Sequence, residues 1–174
     1  MKYFLFFFCI ALFSINSYAQ NDLKSPPSDF DDFVSNSGGI VKIEEYKLPA
    51  IMLQASYGET RIRKVSSESK VKLYYEIASG DYTGSILVED FPALLNAFET
   101  LKAQIGDDIK PVADVLVKKY VYKNGFELGY IVEGKKAAWF IKQHRYCLRT
   151  LHIKDPFTIE ESLKQASVKF DELI

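Results

Sequence analysis

From residue 40 onward, apolar and polar side chains alternate with a period of two, the pattern of strands that keep one face in a core and one in water. In "KVKLYYEIAS", Val71, Leu73, Tyr75 and Ile77 fall on one side and Lys72, Tyr74 and Glu76 on the other. "FELGYIVE" repeats the device with Phe126, Leu128, Tyr130 and Val132, and the preceding "KNG" supplies a hairpin turn from "VLVKKYVY". The same alternation predicts strands over 41–47, 60–65, 85–88, 137–142 and 146–153. Connections this short favour antiparallel pairing.

Two segments change to a helical period. In "DFPALLNAFETLKAQIG", Leu94, Phe98, Leu101 and Ile105 form one stripe, Asp90 and Pro92 mark the start, and Gly106 offers a left-handed stop. In "DPFTIEESLKQASVKFDELI", the stripe is Ile159, Leu163, Ala166 and Phe170, and Thr158 with Glu161 has the spacing of a capping box. Both stripes are read as core-facing. "SILVEDFPALLNAF" and "TLHIKDPFTIEESL" each run from strand through Asp and Pro into helix, so the chain reads as two β-rich units that each finish in a helix. The fold expected is α+β: one curved antiparallel sheet of about six to eight strands with two amphipathic helices on one face.

The opening "MKYFLFFFCIALFSINSYAQ" is a targeting segment rather than part of that fold. Lys2 is the positive end, an apolar run follows, and Ser17-Tyr18-Ala19 places small residues three and one before a cleavable bond. The run is shorter than the roughly 20 residues a spanning helix needs, so no transmembrane anchor is expected after cleavage. Phe6, Phe7 and Phe8 stand before Cys9 where a lipid-modified cysteine wants small residues. The organisation expected is a signal peptide over 1–19, a flexible arm over 20–39 and a single domain over 40–174, with a periplasmic or secreted destination. One helical turn near 29–34 is expected within the arm. Its Asp29, Asp31 and Asp32 lack the remainder of a calcium loop and suit the positive end of a helix.

Together with that leader, "ILVEDFPALLNAFETLK", "NGFELGYIVEGKKAAWF" and the final "FTIEESLKQASVKF" resemble small exported proteins of Bacteroidota-type bacteria that carry no assigned function. The resemblance spans roughly residues 86–170. It implies export and an α+β fold, and it transfers no catalytic residue.

Candidate chemistry concentrates in "WFIKQHRYCLRTLH", which holds the only tryptophan, both histidines and the only cysteine outside the leader. Within an extended strand, Cys147 lies an odd number of residues from both His144 and His152, so thiol and imidazole face opposite ways. A bend near 143–145 would be needed to bring His144 round. The two histidines would sit about 26 Å apart on a straight strand, too far to share a metal. Cys147 is therefore expected to be a buried hydrophobe. The chain contains no nucleophile elbow, zinc-protease motif or phosphate-cradling glycine loop. No catalytic residue, metal or cofactor is assigned.

Net charge is −1 over the 174 residues, which gives no drive toward nucleic acid. Its distribution is uneven: residues 110–154 hold eight lysines and two arginines against Asp114, Glu127 and Glu133, a net +7. If Lys118, Lys135, Lys142 and Arg149 share the open face of the sheet with Tyr120 and Trp139, that face suits an anionic envelope component or an acidic protein. The function expected is a non-enzymatic exported interaction module of unknown partner, acting through that basic sheet face or through the flexible N-terminal arm. The alternatives are a carrier with an apolar pocket between sheet and helix, and a thiol enzyme or hydrolase.

Overall fold

The computed structural model of the chain describes residues 29–68, 70–110 and 113–174. The expected signal peptide, the bond after Ala19 and residues 20–28 of the expected arm lie outside them. Helix α1 (Asp29–Ser35) precedes β1 (Lys42–Met52), β2 (Tyr57–Ser66), β3 (Val71–Ser79) and β4 (Tyr82–Leu87). A 3₁₀ turn at Val88–Asp90 leads into α2 (Phe91–Asp108). The second half repeats the order with β5 (Val115–Val121), β6 (Glu127–Glu133), β7 (Lys136–Lys142), β8 (Leu151–His152) and α3 (Phe157–Leu173).

The fold is α+β, with two antiparallel sheets of order β1-β2-β3-β4 and β5-β6-β7-β8. The expected single sheet of six to eight strands does not form. Period-two alternation looks the same whether strands belong to one ladder or two, and α2 separates the two groups in the chain. The sheets touch through one antiparallel bridge, Leu53 to Ile153. There Gln54 N donates to His152 O at 2.9 Å and Lys154 N to Met52 O at 2.8 Å.

The helices are exchanged between the units. Helix α2, which follows the first sheet, lies principally against β5 and β6, while α3, which follows the second, lies against β1 and β2. Their expected stripes face inward: Leu94, Phe98 and Leu101 of α2 and Ile159, Leu163, Ala166 and Phe170 of α3 are buried. One core cluster joins them to Leu73, Tyr75 and Ile86 of the first sheet and Leu128, Tyr130 and Trp139 of the second. Phe91 links the first sheet to α3 within it, with ring centroids 5.4 Å from Tyr75 and 5.0 Å from Phe170. Each such side chain contributes about 1.5–3 kcal/mol by leaving water.

Both helix ends depart from expectation. Gly106 lies inside α2, which runs on to Asp108, because the exposed glycine meets no obstacle to helical geometry. The capping box of α3 is absent. Thr158 Oγ1 instead donates to Asp155 O at 2.6 Å and accepts from Met52 N at 3.0 Å, tying the helix start to β1. Asp155 takes the capping role, its Oδ1 accepting from Phe157 N at 3.0 Å.

The outer face of β3 is not in water: Tyr74 is fully buried and Glu76 is 1% exposed. Helix α1 covers it, Phe30 packing edge-on to Tyr74 at 5.8 Å and Tyr74 Oη donating to Asp29 O at 3.2 Å. The strand expected at 146–153 shrinks to Leu151–His152, since Gln143 to Thr150 form the loop that turns the chain back.

Two glycine substitutions are expected to act in opposite directions. A Cβ on Gly84 would come within 2.8 Å of both Gln143 O and Phe126 Cδ2, so Gly84→Ala is expected to cost about 1–3 kcal/mol by overpacking. Gly106→Ala, in open space on a helix, is expected to gain about 0.5–1 kcal/mol. Urea titration of both variants checks the pair, and equal signs would contradict the packing described.

Candidate functional site

Register on the first sheet builds a row of charge that the periodicity of each strand leaves unseen. Arg61 on β2 stands opposite Glu76 on β3, and Glu76 stands opposite Ser85 on β4. One step along, Arg63 stands between Glu45 and Tyr74. Cross-strand neighbours on one face approach closely enough to pair. Arg61 Nε donates to Glu76 Oε2 at 2.9 Å, and Arg63 Nη2 lies 3.4 Å from the same oxygen. Ser85 Oγ donates to Glu76 Oε1 at 3.3 Å. Arg63 Nη2 also donates to Glu45 at 2.8 Å.

Above this floor opens a cavity of about 570 Å³. Four segments converge on it: α1 with Asp29, Phe30 and Asp31; the β3–β4 hairpin with Asp81, Tyr82 and Thr83; the β5–β6 turn with Lys123 and Asn124; and the loop carrying His144, Arg145 and Tyr146. Both units therefore contribute walls. The Arg63 guanidinium stacks 4.6 Å from the Phe30 ring centroid, and its Nε is buried with no partner among the described residues.

Loop positioning depends on Gln143, which is 1% exposed. Its Nε2 donates to Tyr82 O at 2.6 Å and its Oε1 receives the Cys147 thiol at 3.7 Å. Asn124 Nδ2 adds a second link across the units, donating to Ser85 O at 2.7 Å. Gly125 makes the arrangement possible: its φ is +84°, and a Cβ there would lie 2.6 Å from Arg145 N. Lys123 closes a third link with Asp29 at 3.3 Å and Asp90 at 3.1 Å. Hydrogen bonds from Tyr122 and then Lys123 hold the Asp90 carboxyl below the usual range, while burial foremost pushes Tyr122 up to about 12.

His144 lies against the Tyr82 ring at 5.4 Å. Its Nδ1 accepts from Tyr146 N at 3.1 Å, which leaves the proton of the neutral ring on Nε2. Burial, and then the charge of Lys142, lower its pKa, which favours the neutral imidazole. Cys147 is 2% exposed, and its thiol bonds to Gln143 Oε1 and to Arg149 O at 3.2 Å. The chain does fold back at 143–150, yet the bonds made by thiol and imidazole run to other groups. Among the described residues no group of three or more His, Cys, Asp or Glu could hold a metal, and no helix is long and apolar enough to cross a membrane.

The six residues expected on a basic face do not share one. Lys118 and Tyr120 point to the helix side of the second sheet, where Lys118 pairs with Asp108 and hydrogen-bonds Gln104 at 3.2 Å. Trp139 is core, 7% exposed and packed between Tyr130 at 5.2 Å and Phe98 at 5.5 Å. Lys135 occupies the β6–β7 turn, where it and Gly134 have φ of 63° and 53°, the geometry of a type I′ hairpin. Lys142 is on the opposite face of β7 from Trp139, and Arg149 is on the β7–β8 loop beside His152 in a second cavity of about 490 Å³. The open face itself carries Val117, Ile131 and Ala138 as one cross-strand row. The apolar pocket of the carrier alternative amounts to about 250 Å³ between Phe98, Trp139 and Phe157, below the usual span for ligand sites.

Sequence reasoning missed Arg61, Arg63, Glu76, Tyr82 and Tyr146. The available signal was the run "TRIRK" on the strand just before the acidic position of "YYEI", but only register shows that these charges meet. No protein-family model matches the chain, and neither a curated protein nor a solved structure is similar to it.

Two outcomes are expected. Glu76→Ala leaves two arginines without their shared carboxylate and is expected to cost about 3 kcal/mol or more, against about 1 kcal/mol for Ser85→Ala. Chemical denaturation decides, and similar small losses for both would contradict the buried pairing. Gln143→Ala should free the loop, so that native-state labelling of Cys147 accelerates at least tenfold over the parent protein. Equal labelling rates would deny Gln143 that role.

Proposed function

We propose that the protein is an exported, non-enzymatic binding module that takes a polar ligand in the cleft between its two units. The observation that carries this reading is the convergence of four segments over a floor of Arg63, Glu76 and Ser85, in which Glu76 is buried and shared between Arg63 and Arg61. The cleft has the volume range of ligand sites and lies where they most often occur, at a boundary between structural units. The Glu76 carboxylate in its floor is costly to maintain, because at 1% exposure it has left water.

The groups present favour binding over chemistry. Both Glu76 oxygens are occupied by Arg61, Arg63 and Ser85, which leaves no free carboxylate in the floor to take a proton. Cys147 is buried behind Gln143, away from any approaching substrate. Export rests on the leader, with its positive start, apolar run and Ser-x-Ala end. A periplasmic or secreted setting also suits a single mature thiol that is kept buried.

The test is a thermal-shift and ligand-observed NMR screen of residues 20–174 against small polar compounds and envelope oligosaccharides. Bound compounds are expected to lose at least tenfold in affinity with Tyr146→Ala, and those that carry a carboxylate also with Arg145→Ala, exposed changes that leave stability within about 0.5 kcal/mol. Lys136→Ala, on the open face of the second sheet, is expected to change nothing. Ligands insensitive to both cleft variants but lost with Lys136→Ala would return the site to the sheet face.

A further inference from the structure

Resting on the cleft as the binding site, we propose that its ligand is an acidic saccharide, a uronic-acid unit of a surface or extracellular polysaccharide. The inference follows from which groups remain free once internal pairing is complete. Glu76 is saturated, Lys123 is held by Asp29 and Asp90, and both ends of Asn124 are spent on backbone atoms. What remains is unequal in kind. Arg145 spends Nη2 on Lys123 O at 3.1 Å and has no carboxylate partner among the described residues. Arg63 reaches its carboxylates through Nη2 alone. His144 presents Nε2–H, and Tyr82, Thr83 and Tyr146 present hydroxyls. Against these donors stands Asp81, a charged acceptor on the rim with no ion-pair partner among the described residues.

A ligand matching that set is rich in acceptors, carries one carboxylate for a guanidinium, and offers a few hydroxyls to Asp81. Guanidinium and carboxylate are matched in shape as well as charge. The rings supply the other half of the match. Tyr82 and Tyr146 flank His144 at centroid distances of 5.4 and 6.4 Å, giving a run of aromatic surface against which the C–H face of a pyranose can lie. A phosphate dianion is disfavoured by Asp29, Asp31 and Asp81 around the rim, whereas a monoanionic sugar acid bears only one charge. The same carboxylates make the cleft a poor track for nucleic acid, which needs a continuous basic surface.

The test uses ¹⁵N-labelled protein, residues 20–174, titrated with tetragalacturonate, tetraglucuronate, the methyl ester of tetragalacturonate, inorganic phosphate and L-glutamate. At least one uronate series is expected to shift the amides of Tyr82, Arg145 and Tyr146, and the ester is expected to bind at least tenfold more weakly than its acid. Arg145→Ala should remove at least tenfold of the acid's affinity while leaving the ester's unchanged, a difference that general damage to the fold would not produce. No binding by either uronate, or equal binding of acid and ester, overturns the ligand class. If glutamate or phosphate instead shifts the cleft amides, the class fails while the cleft stands. If a uronate shifts only the open face around Lys136 and Lys142, the cleft reading fails as well.

Discussion

Each of the two long helices packs on the sheet of the other unit, and the remaining architecture depends on that exchange. Helix α2 cannot lie on β5 and β6 unless the second sheet is drawn in close behind the first, and α3 cannot lie on β1 and β2 unless the chain returns across the whole domain. The apolar stripes of both helices are then satisfied by a single core, with Phe91 touching Tyr75 of one sheet and Phe170 of the far helix. Neither sheet has its own closing helix, so the two units share one hydrophobic driving force. The tie between Thr158 and Met52 fixes where α3 begins on its foreign sheet.

The cleft is a consequence of bringing the sheets together this way. With β1 bridged to Ile153 at one side, the β4 edge comes up against the β5–β6 turn and the loop after β7 at the other. Gly84 and Gly125 are where backbone passes backbone too closely for a side chain, and Gln143 fills the junction with hydrogen bonds. What remains open is the space over the outer face of the first sheet, only part of which the seven-residue α1 covers. In the charged row beneath, the buried Glu76 is stabilised by its pairing with Arg61 and Arg63, and the row keeps the floor polar.

The sequence disclosed those parts of the fold that are local. Most strand positions, the hairpin at Lys123–Gly125 and both helical stripes follow from periodicity and turn chemistry, and the burial of Cys147 follows from the apolar character of a lone thiol. The division into two sheets was not legible, because alternation describes one strand's faces and says nothing about its neighbours. For the same reason the side of the sheet that Lys118 takes is not legible, whereas Trp139 and Lys142, three apart on β7, point oppositely by alternation alone, so expecting them on one face conflicts with the period itself. The site was hidden more deeply: Arg61 and Glu76 are fifteen residues apart, and their contact exists only through the β2–β3 register. Tyr74 and Glu76 looked solvent-facing since nothing in their own strand announces that α1 lies over them.

A shared core through exchanged helices implies that the two units cannot come apart separately. Trp139, the single tryptophan, reports directly on the contact between the second sheet and α2 through Phe98. Hydrogen exchange at the β2 and β3 amides reports on the first sheet, which lies under α3. The decisive measurement is equilibrium unfolding in guanidinium chloride followed by Trp139 fluorescence, by far-ultraviolet circular dichroism and by exchange protection in β2 and β3 at the same denaturant concentrations. One coincident transition with a common midpoint is expected from a cooperative single core. Loss of the Trp139 signal while β2 and β3 stay protected would show that the units fold independently and contradict the exchange as the organising constraint.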